Sequence, residues 1–201
     1  MSASTTELDT QTLEKAAQLE VYNEKGEKVK FGSIFKDKKT VVVFIRHFFC
    51  GICKQYVSQI SSTVRGEALQ AANTDIVLVG CGEWELIKEY KEDTGFEGNV
   101  YANPDRSLYS AFGMVENLKQ TPSGQPKASY ITQSVWKTTL EATKHTLFHI
   151  TQFSKSGNIS QNGGELVLGP GLECSFFHRM VHTQDHAELT DIMRAAGVAY
   201  P

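Results

Sequence analysis

The sequence predicts an α/β fold with a mostly parallel central sheet, helices on both faces and an antiparallel hairpin at one edge. Two short apolar runs, at 41–45 and 76–79, have the length and valine content of strands that are buried on both faces. Each run is followed by a segment with helical spacing of its apolar residues, and such alternation is typical of parallel sheets. Two further runs at 166–168 and 172–177, separated by Gly169-Pro170-Gly171, predict the edge hairpin.

The N-terminal part precedes the first buried strand. Residues 1–6 are polar and small, which predicts disorder. Weak helical spacing predicts a helix within 7–19, and an extra hairpin is predicted over 21–31. Ser33 is expected to cap a one-turn helix that carries residues 34–35 into the core.

The remaining segments follow the same alternation. They are, in order, a helix over 83–93, a strand at 100–102, a helix over 107–112, a surface loop at 119–127, an inserted helix over 129–146 and a last helix over about 185–196. We therefore expect a single domain spanning 1–201, with its core at about 19–198.

A C-x-x-C motif, Cys50-Gly51-Ile52-Cys53, lies where the strand at 41–45 gives way to a helix. Unpaired backbone N–H groups and the helix dipole at such a junction favour a thiolate on Cys50. Cys53 lies about one helical turn further on, within reach of a disulfide. A strand, a C-x-x-C and a helix in this order are typical of thioredoxin-type redox proteins.

The motif assigns different roles to its two cysteines. Cys50 lies nearer the helix start and is expected to attack the substrate, whereas Cys53 is expected to resolve the intermediate. Arg46 and His47 precede the motif, and a cation within a few ångström would favour the thiolate. The alternative for either residue is ordinary packing or solvation at the strand end.

Cys81 and Cys174 have less specific settings. Cys81 follows the second buried strand and is a candidate third redox thiol, although packing as a small buried residue is the favoured interpretation. Cys174 lies in an apolar hairpin strand and is assigned to the core.

A metal site is a weaker alternative for the motif. His178, His182 and His186 recur at a spacing of four, and with Cys50 and Cys53 they suggest a Cys₂His₂ site. More than about a hundred residues separate the pairs, unlike a zinc finger. We therefore expect no metal and no other cofactor.

Composition narrows the choice of partners. The 201 residues carry 20 basic and 23 acidic side chains, and a formal charge of −3 gives no reason to expect nucleic acid or anionic membranes. No run has the length of a membrane span, and the polar start does not resemble a signal peptide. A cytoplasmic protein with free thiols is the resulting expectation.

Several segments resemble the peroxiredoxin-like 2 group of AhpC/TSA-type, thioredoxin-fold proteins. These are 44–54 (FIRHFFCGICK), 101–114 (YANPDRSLYSAFGM) and 163–179 (GGELVLGPGLECSFFHR), followed by Asp185-His186. The resemblance covers nearly the whole chain. It implies a thioredoxin-like fold with extra elements and a thiol-based redox role.

The resemblance does not extend to the peroxidase motif P-x-x-x-[ST]-x-x-C of true peroxiredoxins. Aligned on Cys50, the Thr slot holds His47 and the Pro slot holds Val43; aligned on Cys53, the same slots hold Cys50 and Arg46. The segment at 148–157, where the peroxide-binding arginine of a peroxiredoxin would lie, contains no Arg. Arg179 is a candidate replacement, with a surface salt bridge as the alternative.

These observations predict a thiol–disulfide oxidoreductase that cycles its C-x-x-C between dithiol and disulfide. The alternatives are a thiol peroxidase, a redox tailoring enzyme acting on an organic substrate, and a non-catalytic or metal-binding scaffold. The expected partners are a small-molecule oxidant or disulfide and a thiol reductant of the thioredoxin or glutathione type. A homodimer is compatible with the sequence.

Overall fold

A computed structural model describes residues 8–131 and 150–201 of the chain. The predicted disorder at 1–6 and most of the predicted helix over 129–146 lie outside these residues. Of that helix, only 129–131 are described, and they form a turn and coil in which Tyr130 is buried. No helix within the described ranges combines the length and apolar content needed to cross a membrane.

Seven strands form one sheet in the order β2-β1-β5-β4-β3-β6-β7. The strands are β1 Glu20–Tyr22, β2 Lys28–Lys30, β3 Lys39–Phe44, β4 Thr74–Gly80, β5 Asn99–Ala102, β6 Gly164–Gly169 and β7 Glu173–Arg179. The helices of the described residues are α1 Thr10–Gln18, α2 Gly51–Thr63, α3 Gly66–Ala71, α4 Ile87–Thr94, α5 Ser107–Ala111, α6 Ile150–Phe153 and α7 Leu189–Ala196, with 3₁₀ turns at Phe31–Phe35 and Trp84–Leu86.

The α/β class, the N-terminal hairpin and the edge hairpin are confirmed. Fewer strands pair in parallel than predicted, because parallel pairing among the described strands joins β3 to β4 and β4 to β5 alone. The other four pairings between the described strands are antiparallel, so the sheet is mixed, with a parallel centre and antiparallel edges.

Strand β3 separates two apolar cores. Val41, Val43 and Ile45 pack on the face covered by α2, α4 and α7, which we call the α2 face. Val42 and Phe44 pack on the opposite face, the α1 face, with α1 and α5. This alternation follows from the period of two along a strand, and it confirms the prediction that the run at 41–45 is buried on both sides.

Two predicted helix starts are corrected. The 3₁₀ turn Phe31–Phe35 begins at Phe31 rather than after Ser33, whose hydroxyl donates to the Lys30 carbonyl oxygen at 2.7 Å. The last helix begins at Leu189 rather than near Asp185. Asp185 Oδ2 accepts from the Val181 backbone N–H at 2.8 Å, and this local bond favours a turn over a helix.

Two adjacent glycines allow β6 to lie close to its neighbours. A Cβ added at Gly163 would come within 1.8 Å of the Phe44 carbonyl oxygen, and one at Gly164 within 2.3 Å of the His178 carbonyl oxygen. The absence of a side chain at both positions therefore places the start of β6 beside the end of β3, where the C-x-x-C begins.

Candidate active site

Cys50 is the N-cap residue of α2, as the strand-to-helix junction predicts. Its backbone N–H donates to the His47 carbonyl at 3.0 Å, which closes a turn after β3. The side chain is 4% exposed, and Arg46 Nη1 donates to the Cys50 sulfur at 3.3 Å. Cys50 therefore lies at a helix N-terminus with a guanidinium group in contact with its sulfur.

Arg46 contacts three of the four cysteines. Besides the guanidinium contact to Cys50, its backbone N–H donates to the Cys53 sulfur at 3.4 Å and its backbone carbonyl accepts from the Cys81 thiol at 2.9 Å. Nη2 donates to the Ile159 carbonyl at 2.5 Å, which fixes the guanidinium plane. Nε is buried and has no partner among the described residues.

The two cysteines of the motif have opposite pKa shifts. Hydrogen bonding from the Cys53 thiol, followed by the charges of His47 and Arg46, holds the pKa of Cys50 well below its usual value despite burial. Burial, followed by the neighbouring Cys50, raises the pKa of Cys53 well above its usual value. This arrangement favours a thiolate on Cys50 and a protonated thiol on Cys53.

His47 lies beside Cys50 and is also buried. Burial lowers its pKa, an effect that the Cys50 thiolate opposes. Its Nδ1 atom has no hydrogen-bond partner in the described part of the chain. An unpaired buried polar atom is uncommon in proteins, so His47 Nδ1 and Arg46 Nε each keep a hydrogen-bonding capacity that no contact within the described residues uses.

The structure places Arg179 apart from the motif. Its guanidinium carbon lies 4.7 Å from the centroid of the Phe177 ring. Phe177 packs on the α1 face, whereas Cys50 and Cys53 pack on the α2 face. The sequence grouped Arg179 with Arg46 and His47, and only the latter two adjoin Cys50.

Cys81 is buried, and its thiol donates to the Arg46 carbonyl. Burial raises the pKa of Cys81 to about 11. Cys174 is half-buried, its thiol donates to the Phe176 carbonyl at 3.2 Å, and burial raises its pKa as well. These settings agree with a packing role for both residues.

Glu165 was not among the predicted site residues, and His186 was considered only as a metal ligand, yet both adjoin the motif. His186 Nε2 lies 3.3 Å from the Cys53 sulfur, and Nδ1 lies 2.5 Å from Glu165 Oε1. The sequence contained two signals: a charged residue directly before the apolar run at 166–168, and the Asp185-His186 pair in the family resemblance.

The other two histidines of the suggested metal site lie around Asp185. His178 Nε2 contacts the Asp185 carbonyl at 2.6 Å, and His182 Nε2 lies 3.9 Å from Asp185 Oδ1. Within residues 8–131 and 150–201, no group of three or more His, Cys, Asp or Glu side chains has a geometry that could hold a metal ion.

Comparison with known proteins also points to thiol-based redox chemistry. The family model described as AhpC/TSA antioxidant enzyme matches residues 60–182. The chain is 33% identical over 190 residues to peroxiredoxin-like 2C of Homo sapiens, covering 92% of this chain and 80% of that protein. It is 27% identical over 176 residues to the prostamide/prostaglandin F synthase of Salmo salar, covering 87% of this chain and 82% of that protein.

Solved structures support the fold. A mutant of peroxiredoxin 6 from Arenicola marina superposes with a TM-score of 0.58 at 15% identity, covering 90% of this chain and 69% of that one. At this identity the likeness concerns the fold alone. The family match, the identity to peroxiredoxin-like 2C and the paired thiols at a helix start identify a thiol oxidoreductase: this chain belongs to the AhpC/TSA antioxidant enzyme family.

Proposed function

We propose that this protein is a thiol–disulfide oxidoreductase in which Cys50 attacks the substrate and Cys53 resolves the intermediate. The contact of the Arg46 guanidinium with the Cys50 sulfur at 3.3 Å, at the N-terminus of α2, carries this proposal. Both features stabilise a thiolate, which is the nucleophile in thiol–disulfide exchange.

The reaction has two steps. The Cys50 thiolate attacks one sulfur of a substrate disulfide, which forms a mixed disulfide and releases the other half of the substrate as a thiolate. Cys53 then loses its proton and attacks the Cys50 sulfur, which releases the second thiolate and leaves a Cys50–Cys53 disulfide. The substrate gains two electrons, and a thiol reductant of the thioredoxin or glutathione type returns the protein to the dithiol.

A hydroperoxide is the alternative oxidant for the same cysteines. The Cys50 thiolate would take one oxygen to give a sulfenic acid and an alcohol or water, and attack by Cys53 would release water. The developing charge on the leaving oxygen needs hydrogen-bond donors. Arg46 contacts the Cys50 sulfur through Nη1, and its Nε, which has no partner among the described residues, is the candidate donor to that oxygen.

A second candidate function is reduction of an organic substrate. The observation that favours it is the 27% identity to a prostamide/prostaglandin F synthase over 87% of this chain. An organic substrate would be reduced by the same two cysteines. Both candidate functions therefore predict the same disulfide in the first experiment below, and only the second experiment distinguishes them.

The first experiment is a disulfide map of the oxidised protein. Trypsin cleaves after Arg46 and Lys54, so Cys50 and Cys53 lie in one peptide, 47–54. Mild oxidation should make this peptide lighter by two hydrogens, and Cys53→Ser should abolish that change. A main product that links Cys50 to Cys81, or two chains to each other, would overturn the proposal.

The second experiment is turnover with a thiol reductant. We expect a small disulfide to be reduced faster than hydrogen peroxide, and Cys50→Ser to abolish the reaction with both. Faster turnover of a prostaglandin-type substrate than of either oxidant would instead support the second candidate. The homodimer and the cytoplasmic location are predictions from the sequence that these two experiments do not address.

A further inference from the structure

We infer that His186, held by Glu165, accepts the proton of Cys53 when Cys53 attacks the Cys50 sulfur. This inference rests on the proposed function, since it concerns the second step of the same reaction. It gives His186 a catalytic role, because its ring contacts a reacting atom, and it makes Glu165 a positioning residue.

A proton acceptor is needed because Cys53 is fully buried. Its sulfur accepts from the Arg46 backbone N–H, and in the reduced protein its own proton is shared with the Cys50 thiolate. Once Cys50 is part of a mixed disulfide, its sulfur is no longer an anion and stops attracting that proton. Within the described part of the chain, the ring nitrogen in contact with the Cys53 sulfur is His186 Nε2, at 3.3 Å.

Glu165 sets the tautomer of His186. A carboxylate only accepts hydrogen bonds, so the contact of 2.5 Å between Glu165 Oε1 and His186 Nδ1 places the ring proton on Nδ1. Nε2 then has a free lone pair directed at Cys53. Glu165 Oε2 accepts in addition from the Ala187 backbone N–H at 3.1 Å, which fixes the carboxylate on both sides.

Two tyrosines fix the plane of the ring. Tyr56 stacks on His186 with a centroid distance of 4.3 Å and an interplanar angle of 5°. The Tyr130 hydroxyl accepts from the His186 backbone N–H at 3.0 Å, and its ring meets the imidazole edge-on. The ring is therefore held in the orientation that proton transfer from Cys53 requires.

Burial of the pair argues for a role beyond packing. The side chains of both Glu165 and His186 are fully buried in the sheet and the segment after β7. Burying a carboxylate is costly, and an apolar pair of similar volume would fill the space at less cost. Among the described residues, the titratable or charged groups that face Cys53 are Cys50, Arg46, Tyr90, Tyr109 and Tyr130. Tyr56 and Tyr130 face His186 and Glu165, and Asp185 and Glu188 lie near those two tyrosines.

The test separates the two steps with the neutral disulfide dithiodipyridine. Attack by Cys50 releases one thiopyridone and forms a mixed disulfide, and attack by Cys53 on the Cys50 sulfur releases the second. The absorbance of thiopyridone therefore reports both steps in one trace. A wild-type protein without a second phase, or a second phase that persists in Cys53→Ser, would contradict the proposed function itself.

In His186→Gln we expect the first phase to keep its rate and the second to slow by about 10²-fold, the usual contribution of a general base. The residual second phase should rise about tenfold per pH unit below the pKa of Cys53, because it depends on the spontaneous thiolate fraction. Glu165→Gln should act similarly, because an amide donor at Nδ1 places the ring proton on Nε2, and Glu165→Asp should restore part of the rate.

His182→Gln is the matched control. His182 is a buried histidine on the same segment that lies near Asp185 rather than Cys53, so its loss should leave both phases unchanged. An unchanged second phase in both His186→Gln and Glu165→Gln would overturn the inference. Loss of the first phase in both variants would also overturn it, since the pair would then maintain the site rather than move a proton.

Discussion

At the scale of single residues, Arg46 controls the sulfur chemistry through three different groups. Its guanidinium contacts Cys50, its backbone N–H contacts Cys53 and its carbonyl accepts from Cys81. Only the first contact depends on the side chain. A substitution at this position can therefore remove the charge while leaving the backbone contacts to the other two thiols.

We expect Arg46→Met to raise the pKa of Cys50, because it removes a positive charge next to the thiolate. The rate of Cys50 alkylation by iodoacetamide against pH measures this, with a wild-type midpoint below about 8.5. Arg194→Met is the control, since Arg194 is 73% exposed and pairs with Asp191. Equal midpoints in wild type and Arg46→Met would contradict the expectation.

Peroxide reactivity is a second prediction at this scale. We expect Cys50 to react with hydrogen peroxide more slowly than a peroxiredoxin cysteine, since the Thr slot of the peroxidase motif is not filled by Thr or Ser in either register. Arg46→Met should slow the reaction further, by on the order of 10²-fold for one lost donor. Arg179→Ala should leave it unchanged, because Arg179 packs against Phe177 on the α1 face.

Quenching the peroxide reaction with iodoacetamide at successive times and measuring the alkylated Cys50 by mass spectrometry gives the rate. A large loss of rate in Arg179→Ala would show that this arginine reaches the site, as the sequence suggested. A wild-type rate equal to that of a peroxiredoxin would show that other residues supply the hydrogen-bond donors that the peroxidase motif lacks in this chain.

At the scale of elements, the start of β6 determines how the site is assembled. Gly163 lies where a Cβ would come within 1.8 Å of the Phe44 carbonyl. We expect Gly163→Ala to destabilise the protein by about 1–3 kcal/mol, the usual cost of overpacking, because β6 must move away from β3. The free energy of unfolding from urea titration measures this change.

Gly66→Ala is the matched control for this substitution. Gly66 lies in α3, and an added Cβ there would meet no atom within 4 Å. Alanine is favoured over glycine in a helix by up to about 1 kcal/mol, so stability should be kept or increased. A Gly163→Ala protein as stable as Gly66→Ala would show that β6 can shift at little cost.

The elements that the sequence predicted well are those specified by local pattern. Strand β3 is a short valine-rich run, and α2 repeats its apolar residues at helical spacing, so both could be placed from neighbouring residues. The start of α7 could not, because a hydrogen bond from Val181 to the Asp185 side chain keeps that segment out of the helix. That difference leaves His186 in a loop, where it reaches Cys53.

The contact between His186 and Cys53 could not be found from spacing. The two residues are 133 positions apart, and they meet because β6 pairs with β3 and the segment after β7 folds back over the sheet. The antiparallel pairings of β6 with β3 and of β1 with β5 have the same origin, because they join distant segments that an apolar run does not specify. The two hairpins, β1 with β2 and β6 with β7, are local and could be predicted from their turn residues. The pair Cys50 and Arg46, four positions apart, needed only the local turn.

At the scale of the whole molecule, the opposite pKa shifts of Cys50 and Cys53 make stability depend on pH in the reduced protein only. The folded pKa of Cys50 is depressed, so its contribution is present above the unfolded pKa and is lost as pH falls through the folded pKa. The folded pKa of Cys53 is raised, so its contribution is present below the unfolded pKa and is lost as pH rises above that value.

We therefore expect the free energy of unfolding of the reduced protein, minus that of the oxidised protein, to pass through a maximum near the unfolded thiol pKa of about 8.5. Below this pH the unfolded chain holds one more thiol proton than the folded one, so the difference rises by up to about 1.4 kcal/mol per pH unit. Above it the folded chain retains the Cys53 proton that the unfolded chain has lost, so the difference falls. Titratable groups with the same surroundings in the reduced and oxidised proteins contribute equally to both free energies, so their contributions cancel in the difference. Urea titrations of both forms between roughly pH 6 and 10 measure the curve. A flat difference would show that the two thiols titrate alike, and the division of roles between Cys50 and Cys53 would then lose its electrostatic basis.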